Sequence, residues 1–115
     1  MRIAVLGSGT IGQSWCALFL AAGHSVVAYD PDPAMEGQII AFVQASRPAL
    51  ESLSYQSAGS VEQFRFSKSA AETVEGAQFI QENAPEKKEF TAYLNVYRLD
   101  KDIKVKYVED DVSEN

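Results

Sequence analysis

Three glycines, Gly7, Gly9 and Gly12, fall within six residues, flanked by two short apolar runs, and an acid, Asp30, closes the second run. Few arrangements constrain a chain more. The first run, Ile3-Ala4-Val5-Leu6, stops at Gly7 and suits a strand buried on both faces of a parallel sheet. From Ile11 the period changes: Ile11, Trp15, Leu18, Phe19 and Ala22 fall on one helical face. Gly23 follows as a left-handed helix stop, and residues 25–29 make a second buried strand that ends on Asp30.

The alternation continues. Pro31 and Pro33 make a turn and lead into a helix with the apolar stripe Met35, Ile39, Phe42 and Val43, which Pro48 kinks or ends. Residues 52–59 read as a Ser- and Gly-rich loop, and Phe64-Arg65-Phe66 as a short strand. Ser69-Ala70-Ala71-Glu72 is a capping box opening a short helix that Gly76 closes. Residues 77–81 form a fourth strand, and Asn83-Ala84-Pro85-Glu86 starts another helix. Strands alternating with helices predict an α/β fold: a doubly wound parallel sheet in a three-layer sandwich, with strand order 3-2-1-4 and right-handed crossovers. The last quarter supports two readings. Phe90, Leu94 and Tyr97 make a helical stripe leading to a strand over 103–108, or the same residues pair with that strand as an antiparallel hairpin. Lys104 and Lys106 alternate with apolar residues, so the strand sits at an edge or has one face uncovered. The division is a domain over 1–108 and an acidic tail over 109–115.

Gly7-Ser8-Gly9-Thr10-Ile11-Gly12 lies between a predicted strand and a predicted helix, the setting in which G-x-G-x-x-G marks a Rossmann-type dinucleotide site. Gly7 lets the chain turn out of the strand, Gly9 leaves room for a pyrophosphate, and Gly12 lets the helix pack close to the sheet. The N–H groups of Thr10 and Ile11 then face the anion, aided by the helix dipole. The plainer alternative is a glycine-rich turn without a ligand. Asp30 stands about 20 residues on, where a carboxylate accepts hydrogen bonds from the adenosine ribose. It would repel a 2′-phosphate, and Pro31 and Asp32 supply no cation, so the cofactor is NAD rather than NADP. The alternative for Asp30 is a turn-forming Asp before Pro.

Composition narrows the remaining classes. The net charge of −6 argues against nucleic acid as a partner, since backbone binding needs a basic surface. One cysteine and one histidine cannot make the usual zinc sets, so no metal is expected. Cys16, inside an apolar helix, reads as a small buried hydrophobe. His24 reads as a surface turn residue, and Trp15 as core. No stretch is long enough to span a bilayer, and the opening residues do not form a signal peptide, so the expected setting is cytoplasmic.

The stretches "IAVLGSGTIGQSWCALFLAAGHSVVAYD" and "VEGAQFIQENAPEKKEF" resemble the NAD-binding N-terminal domain of the 3-hydroxyacyl-CoA dehydrogenases. "GSGTIGQSW" and "IQENAPE" are most similar to the hydroxy-acid branch, which includes lambda-crystallin/gulonate and carnitine dehydrogenases. The resemblance covers the chain to about residue 90. It implies that Gly7, Gly9, Thr10, Ile11 and Gly12 cradle the pyrophosphate of NAD and that Asp30 holds the ribose. It also implies that Glu82 and Lys87 lie near the nicotinamide half. Glu82 falls just past the carboxyl end of the fourth strand, where open α/β sheets bind ligands; it reads equally as a loop acid in a helix cap. The implied function is NAD(H) binding as the cofactor half of an oxidoreductase acting on a hydroxyacyl-CoA or a 3-hydroxy acid. The other reading is a non-catalytic dinucleotide-binding or interaction module. The family's next strand leads to a catalytic serine, where this chain reads Tyr107-Val108-Glu109-Asp110. Its catalytic histidine and substrate domain lie further downstream. The C-terminal part therefore reads as incomplete or replaced, no catalytic residue is assigned, and the chain alone is expected to be inactive.

Overall fold

The computed structural model describes residues 1–83 and the backbone of 104–107. The order is β1 (Arg2–Leu6), α1 (Thr10–Ala21), β2 (Ser25–Tyr29), α2 (Met35–Ala45), α3 (Arg47–Glu51), β3 (Phe64–Phe66), α4 (Ala70–Val74), β4 (Phe79–Glu82) and β5 (Lys104–Tyr107). The strands form one sheet in the order β3-β2-β1-β4-β5, with every adjacent pair parallel. The sequence order 3-2-1-4 holds, and β5 adds to it beside β4.

Side chains alternate across β1 and feed two cores. Ile3 and Val5 join Val26 and Ala28 of β2 against Cys16, Ala17 and Leu20 of α1 and Ile39 and Val43 of α2. Ala4 and Leu6 turn to the opposite face and pack with Val74, Ala77 and Ile80. Two covered faces explain why β1 is apolar from Ile3 to Leu6 and β2 from Val26 to Ala28: these stretches are buried on both sides. Helices lie on both sides, which is the doubly wound three-layer arrangement.

Several local expectations are corrected. The buried face of α1 is not Ile11, Trp15, Leu18, Phe19 and Ala22 but Gly12, Cys16, Ala17, Leu20 and Ala21. Ile11 is 52% exposed, and Trp15 is half-buried, stacked on Phe19 with ring centroids 5.2 Å apart. The helix turns its small residues inward because the start of α1 lies against the end of β1. A Cβ on Gly12 would run into the Gly7 carbonyl oxygen. Pro48 marks the break after α2 as expected, having no N–H to offer the Gln44 carbonyl. That helix stops at Ala45, and Pro48 occupies the first turn of α3, where its missing N–H costs nothing. The box at α4 is only half formed. Ser69 accepts from the Glu72 N–H at 3.1 Å, but the Glu72 carboxylate receives the Ser67 hydroxyl instead of reaching back to the Ser69 N–H. The fourth strand begins at Phe79 and ends on Glu82, slightly later than predicted. His24 sits in the turn after α1, with its Nδ1 3.2 Å from the N-terminal amine.

β5 runs parallel to β4. The segment read as helix or hairpin strand over 90–97, the helix start after Asn83, and the tail over 109–115 lie outside the described residues.

Candidate functional site

In a parallel sheet the strand order reverses where successive crossovers leave to opposite sides. Here that point lies between β1 and β4: the chain leaves β1 toward β2, and β4 pairs on the other side. The crevice at the carboxyl ends of these two strands is where an open α/β sheet offers a ligand site. The glycine turn occupies it.

The turn is shaped residue by residue. Gly7 takes φ 91°, a left-handed conformation that a side chain would strain, and its N–H donates to the Tyr29 carbonyl at 2.9 Å. Gly9 is the N-cap of α1 and provides no side-chain cap, and no acid lies in the first turn. The leading N–H groups of α1, those of Thr10, Ile11 and Gly12, have no acceptor within the helix. Thr10 and Ile11 are exposed, as is Gly9. A Cβ built on Gly9 would meet nothing within 4 Å. The result is an exposed turn of glycine backbone at the positive end of a 12-residue helix, an environment that suits an anionic diphosphate.

Asp30 fits both of its readings. Its Oδ1 accepts from the Asp32 N–H at 2.9 Å, closing the turn into Pro31 and Pro33, and its Oδ2 accepts from the Ser8 N–H in the glycine loop, also at 2.9 Å. Each carboxylate oxygen has a second lone pair available for a ribose hydroxyl. Beside it opens a cleft of about 440 Å³, lined by Tyr29, Asp30, Pro31, Pro33, Phe66 and Lys68 among others. Apolar and aromatic walls with a few polar groups suit a flat heterocycle. Lys68, brought in from the end of β3, was not legible as part of this site. Glu36 lines the same cleft, so two carboxylates face one cation.

Glu82 is the last residue of β4, aligned with Leu6 on one side and Tyr107 on the other, and it is buried. Lys87, and any helix that Glu82 might cap, lie outside the described residues. Three further side chains hold the turn, and sequence reading gave them no place in it. Gln13 Nε2 donates to the Ser8 carbonyl at 2.8 Å. Asn83 Nδ2 lies 3.3 Å from both the Leu6 and the Gly7 carbonyl oxygens, and Asn83 Oδ1 accepts from Gln81 Nε2 at 3.3 Å. One signal was present: Gln81 is a polar residue inside a strand that should be apolar on both faces, and such a group is placed to bond something. Ser8 Oγ is fully buried and has no hydrogen-bond partner among the described residues. Among those residues there is no cluster of His, Cys, Asp and Glu able to hold a metal, and no helix long and apolar enough to cross a membrane.

The family model of the 3-hydroxyacyl-CoA dehydrogenase NAD-binding domain matches residues 2–100, about ten residues further than the resemblance read from the motifs. L-carnitine dehydrogenase of Streptomyces griseus is 41% identical over 86 residues, covering 75% of this chain and 26% of the relative. L-carnitine dehydrogenase of Pseudomonas aeruginosa is 45% identical over 84 residues, covering 73% and 26% respectively. The chain thus spans about a quarter of the length of these curated relatives. Among solved structures, an NAD+-dependent 5-formyl-3-hydroxy-2-methylpyridine 4-carboxylic acid 5-dehydrogenase superposes with a TM-score of 0.62 at 32% identity. That match covers 85% of this chain and 31% of the other.

Proposed function

The chain belongs to the 3-hydroxyacyl-CoA dehydrogenase family and carries its NAD-binding domain, and from that premise we propose that it holds NAD(H) across the β1–β4 crevice for hydride transfer to and from a secondary alcohol. In this reading the pyrophosphate lies over Gly9 against the N–H groups of Thr10, Ile11 and Gly12, with Gly7 setting the turn. Asp30 receives the ribose hydroxyls, and the adenine enters the cleft between Pro31, Pro33 and Phe66. Glu82 and Lys87 belong to the nicotinamide half. The observation that carries the reading is the open, uncapped start of α1 beside a carboxylate that already orients the loop. When bound, NAD supplies the hydride acceptor, and the protein's part is to bind and orient it. The similarity to L-carnitine dehydrogenases favours a small 3-hydroxy acid as substrate over a CoA thioester.

Calorimetric titration with NADH, NADPH and AMP tests the reading. NADH binds more tightly than NADPH, by about 1–3 kcal/mol, because a 2′-phosphate would stand against the Asp30 carboxylate in a partly desolvated site. AMP binds weakly, through the adenosine half alone. Asp30→Ala weakens both dinucleotides, since it also releases the Ser8 N–H, and narrows the gap between them. Equal affinities of the parent protein for the two cofactors would sink the assignment of Asp30.

A further inference from the structure

We infer that Asn83 is a positioning residue for the cofactor, acting through the single peptide group that joins Gly7 to Ser8. The inference rests on the proposed NAD site. That peptide is gripped at both ends by side chains from different strands. Its carbonyl, on Gly7, accepts from Asn83 Nδ2 at 3.3 Å, just past β4. Its N–H, on Ser8, donates to Asp30 Oδ2 at 2.9 Å, just past β2. Asn83 also anchors the neighbouring Leu6 carbonyl twice, by its backbone N–H at 2.8 Å and by Nδ2 at 3.3 Å. Gln81, 2% exposed, fixes which way the Asn83 amide faces by donating to its oxygen.

A glycine turn is the part of this site with most freedom to rotate. Gly7 sits at φ 91° and has no side chain to restrict it. If the Gly7–Ser8 peptide swings, the Gly7 carbonyl leaves its place against Gly12, where a Cβ would strike it. The start of α1 and the N–H groups above Gly9 then shift as well. Affinity for a diphosphate depends on those groups being oriented before the ligand arrives, because ordering them on binding subtracts from affinity. Asn83 and Asp30 hold one rigid group from opposite sides, so each contributes fully only while the other is present. Groups sharing one network give non-additive substitutions.

The test is a double-mutant cycle on NADH affinity with the 115-residue chain. Asn83→Ala should weaken NADH binding about tenfold, the scale of losing hydrogen bonds at one site. In an Asp30→Ala background the same substitution should cost less than about threefold. The Ser8 amide resonance, shifted downfield by its carboxylate partner in the parent, should move upfield in Asn83→Ala, a change that general destabilisation does not produce. If Asn83→Ala fails to fold, Gln81→Met keeps the buried volume, removes the donor that orients Asn83, and should weaken NADH about threefold. Unchanged NADH affinity in the folded variants, or costs that simply add, would overturn the inference while leaving the functional reading in place. Failure of the parent chain to bind NADH would overturn both.

Discussion

Gly9, Gly12 and Cys16 lie within two turns of one another, and each answers a different physical demand. Open space surrounds Gly9, so packing does not require its lack of a side chain, and in the proposed function a ligand does. The Gly7 carbonyl crowds Gly12, so its lack of a side chain serves packing. The packing demand at Gly12 was legible in the spacing of the motif. Cys16 is wholly buried among Ile3, Val5 and Leu20, and that burial pushes its thiol from 9.0 up to about 12. The folded state therefore keeps a proton that the unfolded state releases as pH rises past 9. By linkage the associated stability is fully present below about pH 9 and is lost as pH climbs toward 12. Denaturant melts between pH 8 and 11 should show stability falling more steeply in the parent than in Cys16→Ala. Parallel slopes for the two proteins would show that the thiol ionises as readily folded as unfolded.

At the scale of elements, α1 shows what sequence reading could and could not reach. Its existence and its start were plain, from the glycines before it and the apolar period within it. Its buried face was misread because large apolar side chains outweigh Gly, Cys and Ala in any periodicity. What decided the face was the close approach of the helix start to the end of β1. Gly12→Ala should thus be a poor exchange despite alanine's higher helix propensity. Its Cβ cannot coexist with the Gly7 carbonyl, so the helix must move off the sheet, at a cost of about 1–3 kcal/mol. A lowered melting temperature together with weaker NADH binding is the expected result. A variant as stable as its parent would mean that the turn relaxes freely. The contrast with α4 is informative. Ser69 caps that helix, whereas α1 begins with no side-chain cap at its leading N–H groups. Asn83 was read as a cap for a helix that lies outside the described residues, and its amide turns back onto β1. Short-range capping rules cannot foresee a bond between residues 76 positions apart.

Across the whole molecule, the strand order followed from alternation alone, because right-handed crossovers leave few ways to arrange strands joined by single helices. The order places the Gly7 turn, Asp30 and Asn83 along one rim of the sheet, although they come from three different strand ends. The cleft beside Asp30 was not legible in this way. Lys68 reaches it from just past a strand of only three residues, and nothing in the local sequence marks its side chain as part of a cleft. The family match gives an NAD-binding domain, and its convergence with the rim geometry is the ground on which we propose that NAD(H) lies over Gly9. Titration of NADH into the parent and into Gly9→Val tests that convergence most directly. A Cβ there meets no protein atom within 4 Å, so the variant should keep the parent's far-UV circular dichroism and melting temperature. The added isopropyl group would fill the space meant for the pyrophosphate, and NADH binding should fall at least about tenfold. A stable Gly9→Val protein that binds NADH as the parent does would contradict the account, for the glycine turn would then hold no phosphate.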